Sequence, residues 1–88
     1  MMKLSETVEM MNSTNYKERF KAEYYQIKIR TRALKNMLDK WDSEELDFTP
    51  TCPRDIYNDQ LEYMLNYMSV LESRAQLEGI ELSETNNK

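Results

Sequence analysis

The stretch Asn15–Trp41, NYKERFKAEYYQIKIRTRALKNMLDKW, decides the fold class. Its residues Phe20, Tyr24, Ile27, Thr31, Leu34, Leu38 and Trp41 recur at alternating steps of four and three, apolar throughout except for Thr31. Side chains three and four apart stack on one side of an α-helix, so this is a helix with a single buried face. A start signal precedes it. Asn15 is a good N-cap, and Glu18 three residues on gives a capping-box-like pattern with Asn in place of Ser or Thr. The spacing predicts a helix over about 15–41.

The chain beyond Trp41 turns acidic and then breaks. Thr49 precedes Pro50 and is driven into extended backbone. Thr51 or Cys52 is placed to cap a second helix, with Pro53 in its first turn, where no amide hydrogen is needed. Leu46 and Phe48 are expected to fold back over this end. The second helix should run over about 53–78 and stop at Gly79 in the left-handed conformation, with Ile80 folding back onto Ala75 in a Schellman motif. At 1.5 Å per residue each long helix spans roughly 37–40 Å. Two rods of similar length joined by a short loop imply an all-α, antiparallel two-helix hairpin over 15–80. Before it, residues 1–14 hold a short helix over 5–12, capped by Ser5, with Leu4, Val8 and Met11 on one side. So short a helix is stable only when docked. After it, 81–88 read as a polar, disordered tail.

Composition excludes several kinds of function. Eighty-eight residues make one small domain with little core, and a lone Cys52 offers no disulfide to reinforce it. With no histidine there is neither a zinc set nor a Ser-His or Cys-His nucleophile, and the single glycine, Gly79, cannot build a phosphate-cradling loop. The carboxylates Glu44 and Glu45 read as a solvated run in the loop. No enzyme, metal or cofactor is therefore expected. No apolar run is long enough for a membrane span or a signal peptide, and an unpaired cysteine suits the reducing cytoplasm. A net charge of −4 disfavours long nucleic acid. The charge is divided: residues 17–40 carry eight basic and three acidic side chains, and residues 41–88 three basic and eleven acidic.

The second helix has more apolar surface than one partner helix covers. One row reads Tyr57, Leu61, Met64, Met68, Leu71 and Ala75; a second, beside it, reads Ile56, Tyr63, Tyr67, Val70 and Leu77. A hairpin buries one such row, so the other calls for another chain, and a homo-oligomer formed through the second helix is expected. Gln60 and Arg74 interrupt the second row. They either fix register between subunits or lie at its edge and reach water.

On the first helix, Tyr25, Lys28 and Arg32 are spaced three and four apart and share a face. A ring beside two cations suits a small anionic nucleotide, the ring stacking on a base and the cations meeting phosphates, with Arg74 placed to join from the second helix. The same face also reads as a solvated complement to the acidic second helix.

The segments Tyr16-Lys17-Glu18-Arg19, Glu23-Tyr24, Pro53, Gln60-Leu61, Met64, Tyr67, Leu71-Glu72-Ser73-Arg74-Ala75 and Glu78-Gly79-Ile80 resemble a family of small phage-encoded helical-hairpin proteins. The resemblance covers residues 16–80. More distantly, Tyr25-Gln26-Ile27-Lys28-Ile29-Arg30 and Cys52-Pro53 are similar to pieces of the phage anti-CBASS and anti-Thoeris sponges, which sequester cyclic-nucleotide alarm signals as hexamers. The second helix departs from those sponges, being rich in Tyr and Met where they are rich in Ala. The resemblance implies a counter-defence protein of the host-cell cytoplasm that withholds a cyclic oligonucleotide or ADP-ribose-type signal at subunit junctions. Two other functions fit the residues: an inhibitor gripping a host defence enzyme through the Tyr/Met face, and a structural phage accessory protein.

Overall fold

The computed structural model describes residues 2–82, and its regular elements are helices. A turn of 3-10 helix, Leu4–Thr7, runs into α1, Val8–Met11; α2 spans Tyr16–Asp42 and α3 spans Arg54–Glu78. Among the described residues there is no strand. The expected tail lies outside the described residues from 83 onward. Leu82, which composition had placed in it, packs against the core.

The start of α2 follows its cap. The Asn15 side chain accepts the Lys17 amide at 2.8 Å, and Ser13 Oγ in turn accepts the Asn15 amide at 3.0 Å. Glu18 does not reach back to complete a reciprocal box; its carboxylate pairs with Lys21 at 3.6 Å. The end of α2 is a Schellman motif, with Glu45 N–H donating to Lys40 O at 2.8 Å and Glu44 N–H to Trp41 O at 3.0 Å. Glu44 takes the left-handed position, at φ 61°. The end of α3 repeats the motif with the residue best suited to it. Gly79 sits at φ 70°, Ile80 N–H donates to Ala75 O at 2.8 Å, and the Ile80 side chain is buried beside Ala75. The start of α3 differs slightly from expectation. Pro53 itself is the N-cap residue, with no side-chain cap bond from Thr51 or Cys52.

Contacts between α2 and α3 run in opposite chain order. Tyr16 meets Glu78 and Tyr24 meets Glu72 near one end, while Asp42 meets Arg54 at the other. Burial follows the two inner rows. On α2, Phe20, Tyr24, Thr31 and Leu38 are buried, with Ile27, Leu34 and Trp41 half-buried; on α3, Tyr57, Leu61, Met64 and Met68 are half-buried, and Leu71 and Ala75 are buried. The buried polar Thr31 is satisfied by donating to Ile27 O at 2.6 Å.

The core is concentrated at one end. Phe20, Tyr24, Tyr25, Leu71, Ala75 and Ile80 form it, with Met2, Met10, Ile27, Met68 and Leu82 packed around them. The N-terminal segment closes this end by docking on α2, where Gln26 Nε2 donates to the buried Thr7 Oγ1 at 2.9 Å. Its docked face is not the expected one: Val8 and Met11 are exposed, and Met2, Thr7 and Met10 point inward. The cause is the opening 3-10 turn, three residues per turn instead of 3.6, which rotates the face away from the 4, 8, 11 spacing. Its N-cap residue is Lys3 in place of Ser5, and the Lys3 amide donates to the Glu6 carboxylate at 2.6 Å.

The loop end is smaller and more polar. Trp41 packs edge-on against Tyr57 with ring centroids 6.0 Å apart, and the Arg54 guanidinium lies 5.2 Å above the indole. Arg54 also forms a two-point bond with Asp42, at 2.6 and 3.2 Å, which holds the Asp42 carboxyl below its usual range. Leu46 and Phe48 do fold back, lining a hollow of about 300 Å³ with Ala33, Met37 and Lys40 of α2, although Phe48 stays half in solvent.

Candidate functional site

Polar ties join α2 and α3 along the closed end. Tyr24 OH donates to Glu72 at 2.6 Å, Tyr16 OH to Glu78 at 2.8 Å, and Tyr67 OH to Glu23. The bond to the Glu23 carboxylate, helped by partial burial, raises the Tyr67 phenol above its ordinary range. Arg74 belongs to the same set of ties. Its guanidinium lies 4.9 Å over the Phe20 ring, its Nη2 donates to Tyr16 OH at 2.9 Å, and its Nε meets Glu78 at 3.3 Å.

The residues singled out on α2 divide between core and surface. Tyr25 is 4% exposed and packs in the core with its ring edge-on to Tyr24, so its ring is not presented to a ligand in the single chain. The helix spacing was right, but this face of α2 is the one that the N-terminal segment covers. Lys28 is half-buried, with Nζ 5.8 Å from the centroid of the Tyr24 ring. Arg32, one turn on, is exposed. Lys28 thus has the Tyr24 ring as an aromatic neighbour. The i, i+4 spacing of Tyr24 and Lys28 carried that signal, but Tyr24 had already been assigned to the inner row. Arg74 stands at the level of Phe20, twelve residues and about 18 Å along α2 from Arg32. Within one chain, then, Lys28 and Arg32 form a pair of cations and Arg74 stands apart from them.

The other open feature is the outer side of α3. Tyr63 is 68% exposed and Leu77 88%, and Ile56, Tyr67 and Val70 are also bare. Ile56, Asp59, Gln60, Tyr63, Met64 and Tyr67 line a groove of about 410 Å³ on this side. Of the two residues that interrupt the row, Gln60 lines the groove, while Arg74 turns aside to Phe20. Among the described residues no cluster of acidic or sulfur ligands is arranged to hold a metal ion, and no helix is long and apolar enough to cross a membrane.

Comparison with known proteins gives one result. Neither a curated protein nor a solved structure matches the chain. A family profile does match, over residues 14–77, which takes in all of α2, the loop and all but the last residue of α3. That profile spans both the cation pair and the bare row, and it is the profile of Sequestin. The chain belongs to the Sequestin family.

Proposed function

We propose that this chain is a phage counter-defence protein that binds and withholds a small nucleotide immune signal, stoichiometrically and without turnover, in the host cytoplasm. The observation that carries the reading is the Sequestin match over residues 14–77, a family name that speaks of sequestration. Two cations of α2 support a place for the anion in this reading. Lys28 and Arg32 stand one turn apart, a spacing that suits one phosphate-bearing ligand. In this reading α2 and α3 form an antiparallel hairpin, copies associate through the outer row of α3, and the signal sits at subunit junctions. Tyr25 and Arg74 serve the fold and the assembly; Lys28 and Arg32 serve the ligand.

The test is calorimetry with a panel of cyclic oligonucleotides and ADP-ribose-type nucleotides. One member of the panel should bind with a stoichiometry fixed by the assembly, and Lys28→Ala/Arg32→Ala should weaken it by at least tenfold with helicity unchanged. Each charge-assisted hydrogen bond is worth about 1.5–3 kcal/mol, and tenfold is about 1.4. A double variant that binds like wild type would put the site elsewhere. The groove at Tyr63 and Tyr67 favours a second reading, in which the face grips a host defence enzyme. That reading would be selected if the double variant still blocked host defence in cells while no nucleotide bound.

A further inference from the structure

The outer row of α3 is built symmetrically about its middle. Ile56 and Leu77 lie equally far from a midpoint between Asn66 and Tyr67, and so do Tyr63 and Val70. Asp59 and Arg74 are related by the same midpoint. The two halves also differ in shape. The first half, Ile56 to Tyr67, holds the groove; the second carries Val70 and Leu77 as bare projections. A row with a hollow at one end and knobs at the other is complementary to itself turned end over end.

We infer that this row is the seam of a two-fold, antiparallel pair of α3 helices from two copies of the chain, with Tyr67 at the axis. Each groove receives the second copy's Val70 and Leu77, and the match is made twice, as two-fold symmetry requires. Each Asp59 faces the second copy's Arg74. Nε and Nη2 of that guanidinium are held by Glu78 and Tyr16, and its fork keeps further donors for a carboxylate. A parallel pair would instead set Asp59 against Asp59 and Arg74 against Arg74, and like charges in register repel. The row repeats every seven residues at Ile56, Tyr63, Val70 and Leu77, the period that keeps a seam facing a partner helix over its whole length. From Ile56 to Leu77 that length is about 32 Å.

The inference deepens the self-association proposed above and rests on it, so the experiment separates the two. Light scattering on the full chain should return an assembly of whole pairs, not the 10.6 kDa single chain. Val70→Glu should weaken association at least tenfold with the far-UV spectrum unchanged, because Val70 is exposed within its own chain. In a Cys52→Ser background, Tyr67→Cys should cross-link to itself under mild oxidation and Ile56→Cys should not. A mixture of Ile56→Cys and Leu77→Cys chains should cross-link to each other. A wild-type chain that is monomeric at micromolar concentration would defeat both the seam and the self-association. A Val70→Glu chain that keeps the wild-type mass, or an Ile56→Cys chain that links to itself as readily as Tyr67→Cys does, would overturn the seam alone.

Discussion

The two sides of α3 are made from similar residues and end in opposite environments. The inner row finishes at Leu71 and Ala75, sealed beneath α2, with Leu71 1% exposed. The outer row, offset by a fraction of a turn, finishes at Val70 and Leu77 in open solvent. Hydrophobicity does not separate them. Direction does: a helix lying against one partner buries a single stripe, and everything rotated past its edge stays outside. The apolar content of α3 thus divides between holding the chain together and meeting something beyond it. Burying a side chain such as Leu71 is worth about 1.5–3 kcal/mol to the fold, and a bare Leu77 gives the isolated chain almost nothing.

That contrast can be broken by substitution. The largest effect should come from the closed end, where Tyr25→Ala removes a core ring and should cost about 3–5 kcal/mol in urea unfolding, by analogy with other aromatic truncations. A small loss there would mean that the N-terminal segment does not seal this face. Leu71→Ala should cost about 2–5 kcal/mol by leaving a cavity under α2. The same measurement on Leu77→Ser, at a concentration low enough to keep chains apart, should move stability by no more than about 0.5 kcal/mol. Equal effects at 71 and 77 would erase the distinction between the two rows. Tyr67 sharpens the boundary between them, because it sits in the outer row yet reaches Glu23 on α2. Its phenol titrates higher in the folded chain than in the unfolded one. The stabilisation is therefore present below the ordinary tyrosine value of about 10 and is lost as pH rises through the raised folded value. A melting series taken from pH 8 to 11 should show that loss, and Tyr67→Phe should flatten this part of the profile.

The long helices were legible in the sequence because each obeys one period from cap to stop, and nothing from outside overrides it. The Gly79-Ile80 ending was legible for the same local reason. What escaped was set by docking. Leu4, Val8 and Met11 have a plausible α-helical spacing, but the segment opens with a 3-10 turn and presents Thr7 and Met10 in place of Val8 and Met11. Tyr25 has the spacing of a surface ligand and the environment of a core residue, because no pattern within α2 announces that a segment before it will lie on that face. Arg74 lies over the Phe20 ring of α2, a contact that no spacing within α3 announces. Side-chain type indicated what these groups could do, and only the packing decided where each of them does it.

Trp41 is the chain's one tryptophan, and its place under Arg54 and beside Tyr57 makes it a position-specific optical probe. Indole emission reads the loop end alone, some thirteen residues and about 20 Å along α2 from Lys28. Four of the six tyrosines, Tyr16, Tyr24, Tyr25 and Tyr67, lie toward the closed end, so the tyrosine signal is weighted to the opposite half. With Tyr57 and Tyr63 replaced by Phe, the two signals divide the molecule in space without any label. If the ends melt as one unit, their midpoints coincide. If the polar loop end opens first, the indole emission shifts to the red while the tyrosine signal is still native.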